Sequence, residues 1–236
     1  MHILRSVYKR LLAFHGPQGW WPVINPSTSQ SEYHLKAPRN ASDFFEISVG
    51  AILTQNIAWN NVNTALRSLK EREILDPVSL RGISTARLAR LIRPTGYYNQ
   101  KARKIKNFIA WYGRHGYSYP DLLHMDPAEL RGELLSVNGI GPETADSILL
   151  YALNAKIFVV DAYTKRIFTR LGLLAGEPTY QETQQLFQRH FRGTAREYNE
   201  YHALIVAHGK DFCRKKPLCG ECCLQSLCQA NLKSKV

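Results

Sequence analysis

Cysteine is missing from the chain until residue 213, and all five cysteines of the 236-residue sequence fall between Cys213 and Cys228. That clustering excludes a framework of scattered structural disulfides. No run is long and apolar enough to span a bilayer. Residues 1–10 lack the uninterrupted apolar core of a secretory leader. A cytoplasmic, nucleoid-associated protein with no membrane partner is therefore expected. Strand-like alternation is also lacking, since residues 157–160 are too short to build a sheet, and there is neither an internal repeat nor a low-complexity linker. Acidic residues are scarce: 19 Asp+Glu stand against 31 Lys+Arg, a net charge of +12. Such a surplus favours a polyanionic partner, without choosing among DNA, RNA, ribosome and lipid headgroups.

What is present is helical patterning on a hydrophobic content of 44%, enough for a sizeable core. Asp43-Phe44-Phe45-Glu46 has the chemistry of a capping box and opens a helix with Phe45, Val49 and Ile52 on one face. Val62, Ala65, Leu66 and Leu69 form a second apolar stripe. A third helix through Leu88 and Leu91 stops at Arg93-Pro94-Thr95-Gly96. The next, from about Asn99, carries Lys101, Arg103, Lys104 and Lys106 around the apolar line Ala102, Ile105 and Ile109. Thr179-Tyr180-Gln181-Glu182 is another capping box, and Gly209 is placed to close a helix running back through Tyr201 and Ile205. The expected fold class is all-α.

The most informative stretch lies at about residues 127–153. Asp126-Pro127-Ala128-Glu129 announces a helix by its cap, its first-turn proline and its acid three residues on. Ala145, Ile148, Leu149 and Ala152 mark the apolar face of a second helix. Between them, Val137-Asn138-Gly139-Ile140-Gly141-Pro142 makes a tight turn in which Gly139 and Gly141 relieve backbone strain. Backbone N–H groups at such a turn, beside a helix start, form an anion site. In a chain this basic the anion is expected to be a nucleic-acid phosphate; an ordinary helix–helix turn is the plainer reading.

This segment resembles the helix-hairpin-helix of the endonuclease III superfamily of DNA glycosylases. The likeness extends from about residue 40 onward. It covers Phe45-Glu46 through Ala51-Ile52-Leu53-Thr54-Gln55-Asn56, the stretch Val159-Val160-Asp161-Ala162-Tyr163-Thr164-Lys165-Arg166, and the cysteine cluster. It implies two helical lobes, one from residues 1–42 plus 158–236 and one from 43–157, with a base-excision cleft between them. Asp161 matches the family's essential aspartate, although locally it also reads as a plain helix N-cap. Gly139, Gly141 and Thr144 match the DNA-binding hairpin. Gln55 and Asn56 match the loop that fills the gap left by an extruded nucleotide. The implied partner is double-stranded DNA containing a damaged base, bound by a monomer.

Bifunctional members carry a lysine nucleophile after the second hairpin glycine. Here Glu143 stands there, and a carboxylate forms no imine. Lys156 and Lys165 lie near Asp161 in sequence but do not match that position. A monofunctional glycosylase is expected. Gly19-Trp20-Trp21-Pro22, Gly50 to Asn56 and the Gly-Ile-Gly-x-Glu-x-Ala-Asp hairpin resemble the 3-methyladenine glycosylases of endonuclease III type. By that likeness Trp20, Pro22 and Phe45 sandwich a flipped base, with Trp21 either in the pocket or anchoring the N-terminal segment. An aromatic slot suits a cationic alkylated purine. Two other readings stand beside this one: a thymine or uracil mismatch glycosylase, and a non-catalytic iron–sulfur damage sensor.

Cys213, Cys219, Cys222 and Cys228 can supply four thiolates to one centre. The spacing by itself fits zinc as well as iron–sulfur. The resemblance implies a [4Fe–4S] cluster, although the first loop, Arg214 to Leu218, is one residue short of the family pattern. Cys223 is an alternative to Cys222 by a small register shift. Lys215 and Lys216 in that loop are expected to face DNA phosphate.

Overall fold

The computed structural model describes residues 2–33, 38 and 40–233. Its helices are α1 (His2–His15), α2 (Ala41–Leu53), α3 (Trp59–Glu71), α4 (Pro77–Gly82), α5 (Thr85–Leu91), α6 (Tyr98–Arg114), α7 (Tyr119–His124), α8 (Pro127–Ser136), α9 (Pro142–Ser147), α10 (Ala162–Arg170), α11 (Tyr180–His190), α12 (Ala195–Asp211) and α13 (Gln229–Lys233). A short hairpin of β1 (Val23–Ile24) and β2 (Ser31–Glu32) is the only sheet among the described residues. Val23 pairs with Glu32 and Ile24 with Ser31. The chain divides into two compact units, residues 21–155 and residues 1–20 with 156–236.

In the middle unit α2 is the central element, buried from Asp43 to Leu53 and packed by α3, α6, α7 and α9. Its start differs from the capping box read at Asp43. Asn40 is the cap, its side-chain oxygen accepting the Asp43 N–H at 2.9 Å. Glu46 is engaged elsewhere: its carboxylate accepts the Ile24 N–H at 2.6 Å and binds the Lys70 ammonium. Burial pushes the Glu46 carboxyl pKa up, and Lys70 opposes the shift. This buried acid ties β1 to α2. The compact unit accordingly begins at Trp21, where the sequence reading begins its middle lobe at 43.

Lys101 was placed by pattern among the basic residues flanking the apolar line of α6, yet it is only 2% exposed. Its Nζ donates to the carbonyls of Leu53, at 2.8 Å, and Thr95, at 2.6 Å. The end of α2 leaves carbonyls without intrahelical partners, and this ammonium satisfies one where water is excluded. The second hairpin helix also departs from a continuous α-helix. After α9 it widens into a π-turn over Ile148–Ala152, all buried, and the Ala155 N–H reaches back to the Leu149 carbonyl at 2.8 Å.

The terminal unit packs α1 and α10 against α12. Its core is aromatic: Phe158 stacks on Phe187 with centroids 3.7 Å apart, and Phe168, Phe191 and Tyr201 close around them. α12 does not end at Gly209 but runs to Asp211. The glycine serves close approach instead, because a Cβ there would lie 2.4 Å from the Tyr163 ring of α10. The capping box at Thr179 forms as read, and a second one, Thr194 with Glu197, starts α12.

Burial, then the neighbouring Lys104 charge, lowers the Lys101 pKa to about 8. The folded state therefore releases this proton before the unfolded state does, and stability rises as pH climbs from about 8 towards the lysine value of the unfolded chain. Against a Lys101→Met variant, wild-type unfolding free energy should gain on the order of 1 kcal/mol between pH 7 and 9. Denaturant titrations at both pH values read this directly; a constant difference would contradict the buried-ammonium assignment.

Candidate functional site

In the middle unit the α8–α9 turn is fixed by its carbonyls. Asn107 Nδ2 donates to the Asn138 carbonyl at 3.0 Å, and Gln55 Nε2 donates to the Gly139 carbonyl at 3.2 Å. The amides of Gly139 and Gly141 donate to no acceptor among the described residues. With two carbonyls held by side-chain amides and its own amides free, the turn has the polarity of an anion site. Gly139 sits at φ +95°, and a Cβ there would also meet Lys104 Cγ at 2.3 Å. The two hairpin helices are joined by Arg131, whose Nε and Nη2 donate to the two carboxylate oxygens of buried Asp146 at 2.6 and 3.1 Å. Such a two-point pair sets orientation as well as distance.

Gln55 and Asn56 follow α2 directly and take different roles. Both N–H groups of the Gln55 amide are engaged: Nε2 also donates to Thr144 Oγ1 at 2.9 Å, and Oε1 accepts from the Lys104 ammonium. Asn56 is exposed, with φ +56°. Thr144 is buried and spends its hydroxyl on Gln55.

In the terminal unit Asp161 is the N-cap of α10. Its Oδ1 accepts the Thr164 N–H at 2.7 Å and the Thr164 hydroxyl at 2.8 Å. Oδ2 lies 3.7 Å from His202 Nε2 of α12, and both side chains are nearly buried, at 12% and 11% exposure. Burial lowers the His202 pKa, and Asp161 opposes it. The strand-like lead-in to Asp161 is held by Gln184, which donates to the Phe158 carbonyl at 2.7 Å.

From the other end of α10, Arg166 donates to the carbonyls of Cys213 and Gly209 at 2.8 and 2.9 Å. Arg170 reaches Cys213 Sγ at 3.3 Å and the Arg214 and Lys215 carbonyls. Beyond it, Cys213, Cys219, Cys222 and Cys228 line one cavity of about 180 Å³, and Cys223 does not. All five cysteines are free thiols. Cys223 lies instead where its carbonyl accepts from Arg10. His208 Nε2 stands 3.3 Å from Cys222 Sγ. Burial, then His15, lowers the His208 pKa to about 4. Among the described residues no three Cys, His, Asp or Glu side chains converge to hold a single metal ion. Lys215 and Lys216 are exposed on the loop.

The model of the HhH-GPD superfamily of base excision DNA repair proteins matches residues 49–192, which hold both the hairpin and Asp161. The chain belongs to this family. A protein of Methanocaldococcus jannaschii, provisionally named a DNA repair glycosylase, is 42% identical over 228 residues, 96% of each chain. Among solved structures, the Helicobacter pylori 3-methyladenine DNA glycosylase MagIII bound to 1,N6-ethenoadenine has a TM-score of 0.68 at 26% identity, covering 87% of this chain and 96% of that one. A non-covalent endonuclease III–DNA complex has a TM-score of 0.76 at 21% identity, covering 98% and 96%, and shares the fold.

For this HhH-GPD chain the aromatic residues singled out in sequence are placed as follows. Phe45 is buried in α2 against Phe108 and Tyr112. Pro22 is buried. Trp21 packs edge-on to Trp59 and tilted against Tyr151, with Gly50 beneath its ring. Trp20 is partly exposed. Sequence reasoning missed Lys104, Asn107, His202, Arg166 and Arg170. Only the basic spacing on α6 marked one of them, Lys104, without assigning it a role. Among the described residues no helix is long and apolar enough to cross a membrane.

The dual bonding of Asp161 Oδ1 separates cap from charge. Asp161→Ala should lower stability by about 1 kcal/mol, while Asp161→Asn, which keeps an accepting oxygen, should stay within about 0.5 kcal/mol of wild type. Thermal melts of both variants check this, and equal losses would remove the capping role.

Proposed function

We propose that this HhH-GPD protein is a monofunctional DNA N-glycosylase that binds duplex DNA, flips a damaged base and removes it by hydrolysis, with alkylated purines such as 3-methyladenine as substrates. The observation that carries this is the split carboxylate of Asp161: one oxygen is locked as a helix cap, the other lies beside a buried imidazole. Breaking an N-glycosidic bond develops positive charge on the sugar. A fixed carboxylate with little water around it stabilises that charge and takes a proton from the attacking water. The water oxygen bonds to the sugar carbon while the base leaves with the bonding pair. Burial keeps His202 neutral near pH 7, so it leaves the Asp161 charge available.

The free amides of Gly139 and Gly141 serve a backbone phosphate, and Lys215 and Lys216 add charge for the duplex. The Gln55–Asn56 turn fills the gap left by the base. Trp20, Pro22 and Phe45 form the base slot by family likeness. The packing of Trp21 between Trp59 and Tyr151 supports the anchoring role for that residue. The MagIII likeness supports the purine assignment, because that protein is a 3-methyladenine DNA glycosylase bound to 1,N6-ethenoadenine.

Four free thiols around one cavity fit a [4Fe–4S] cluster. Cys213, Cys219, Cys222 and Cys228 would hold it, and when bound it would supply a rigid tie for the C-terminal loop. Cys222→Ser should abolish iron binding and the visible absorption of the purified protein, and Cys223→Ser should leave both intact. The reverse result would exchange the two ligands.

The function is tested by product analysis on duplexes carrying 3-methyladenine, hypoxanthine, uracil or a thymine mispair, read with and without alkali. Release of 3-methyladenine with strand breaks only after alkali is expected. Asp161→Asn should lower release by about 100-fold or more. Breaks without alkali, or borohydride trapping on the DNA, would refute the monofunctional reading. Release confined to thymine or uracil would refute the purine assignment. No release from any duplex would refute the enzyme.

A further inference from the structure

Two features proposed above to meet DNA, the α8–α9 turn and the Gln55–Asn56 turn, come from segments more than eighty residues apart in sequence. One side chain joins them. Gln55 bonds the Gly139 carbonyl and the Thr144 hydroxyl with its amide nitrogen, and its amide oxygen is taken by the Lys104 ammonium. Lys104 is half-buried, and its stem crosses directly over Gly139, where any side chain would collide with it. One turn earlier on α6, Lys101 fixes the Leu53 carbonyl that precedes the Gln55 turn. Gln55 therefore has no amide N–H left for a nucleotide while this arrangement holds. Asn56, exposed and left-handed, is the tip that it presents.

We infer that Lys104 is a positioning residue: it clamps Gln55 against the hairpin, so that a phosphate seated on the hairpin amides sets the place at which Asn56 enters the duplex. The inference rests on the glycosylase reading and adds a coupling to it. A loose Gln55 would leave the hairpin able to hold phosphate but the tip free to swing, and extrusion would fail without a matching failure of binding. A lysine that merely neutralised a phosphate would behave differently. Its loss would weaken binding across all sequences and reduce the salt slope of affinity by about one.

The test uses full-length protein in an Asp161→Asn background, so that the glycosidic bond stays intact. The probe is a duplex with 2-aminopurine beside a 1,N6-ethenoadenine. Its fluorescence rise reports extrusion, and anisotropy of the same duplex reports affinity over a range of salt. Lys104→Met should cut the fluorescence rise about tenfold, the loss expected for one charge-assisted hydrogen bond, while affinity falls no more than about threefold and the salt slope is unchanged. Lys104→Arg should restore most of the rise. Thr144→Val breaks the other arm of the clamp without altering charge and should act in the same direction, which keeps the test available if Lys104→Met folds poorly.

Proportional losses of extrusion and affinity with a reduced salt slope would make Lys104 a phosphate contact and overturn the clamp. A full fluorescence rise in Lys104→Met and Thr144→Val would overturn the clamp alone. Binding without any rise in the protein with Lys104 intact would overturn base extrusion itself, and the clamp with it.

Discussion

The carboxylate of Asp161 is divided between a helix and the chemistry proposed for it, and the terminal unit is arranged around that division. Thr164 takes one oxygen twice, through its amide and its hydroxyl, which sets where α10 begins and which way the second oxygen points. α10 is only nine residues long, too short to persist by propensity alone. It is held by its cap at one end, by close packing of Tyr163 on Gly209 along its side, and by Arg166 and Arg170 at the other end. Those arginines bond the backbone from Gly209 to Lys215. The cysteine loop and the carboxylate are thus opposite ends of one rigid element. A cluster in that loop needs no part in bond cleavage to matter for it, because a displaced loop releases the arginines and with them the helix that aims Asp161.

The middle unit solves a different problem, that of making a turn attract anions without burying charge in it. The turn itself carries no basic side chain. Asn107 and Gln55 hold its carbonyls, so the negative ends of these peptide dipoles are engaged by side-chain amides while the amides of Gly139 and Gly141 donate to no acceptor among the described residues. Arg131 and Asp146 fix the angle at which the two helices enter. The buried carboxylate there is paired at both oxygens, which is what allows it to be buried. In the function proposed above, the chain's surplus of basic residues acts at longer range, raising the local concentration of a polyanion, while the hairpin supplies the short-range fit.

Much of this was legible in the chain. The two helices and glycine turn at 127–153, the caps at Asp126 and Asp161 and the capping box at Thr179 all follow from local rules, because caps and turns are satisfied by residues within four positions. The failures share the opposite cause. Asp43 and Glu46 have the spacing of a capping box, but Glu46 has a better donor in Ile24 and a half-buried cation in Lys70, both distant in sequence. Gly209 has the composition of a helix stop, yet its missing side chain is used by Tyr163 of another helix. Lys101 sits among the basic residues beside the apolar line of α6, and the end of α2 captures it. His202 and the arginines of α10 had no local signal, since the partners described above lie 41 to 47 residues away.

The placement of Lys101 explains why the Gln55 turn can be both rigid and exposed. Where a helix ends, its last carbonyls must be satisfied, and water normally does this; a turn solvated in that way would be soft. Here the Leu53 carbonyl is held by a buried ammonium and the Thr54 amide by the Gly50 carbonyl. The Gln55 side chain is then held by Lys104 and the hairpin, so that three successive residues are each fixed by a different bond. The cost is visible in the Lys101 pKa, depressed by burial and by a second lysine one turn away. An apolar residue at 101 would avoid that cost, but it would leave the Leu53 and Thr95 carbonyls without a donor and the turn without a floor. Order at Leu53, Thr54 and Gln55 is what leaves Asn56 as the first residue of the turn whose position is set while its side chain is still open to solvent.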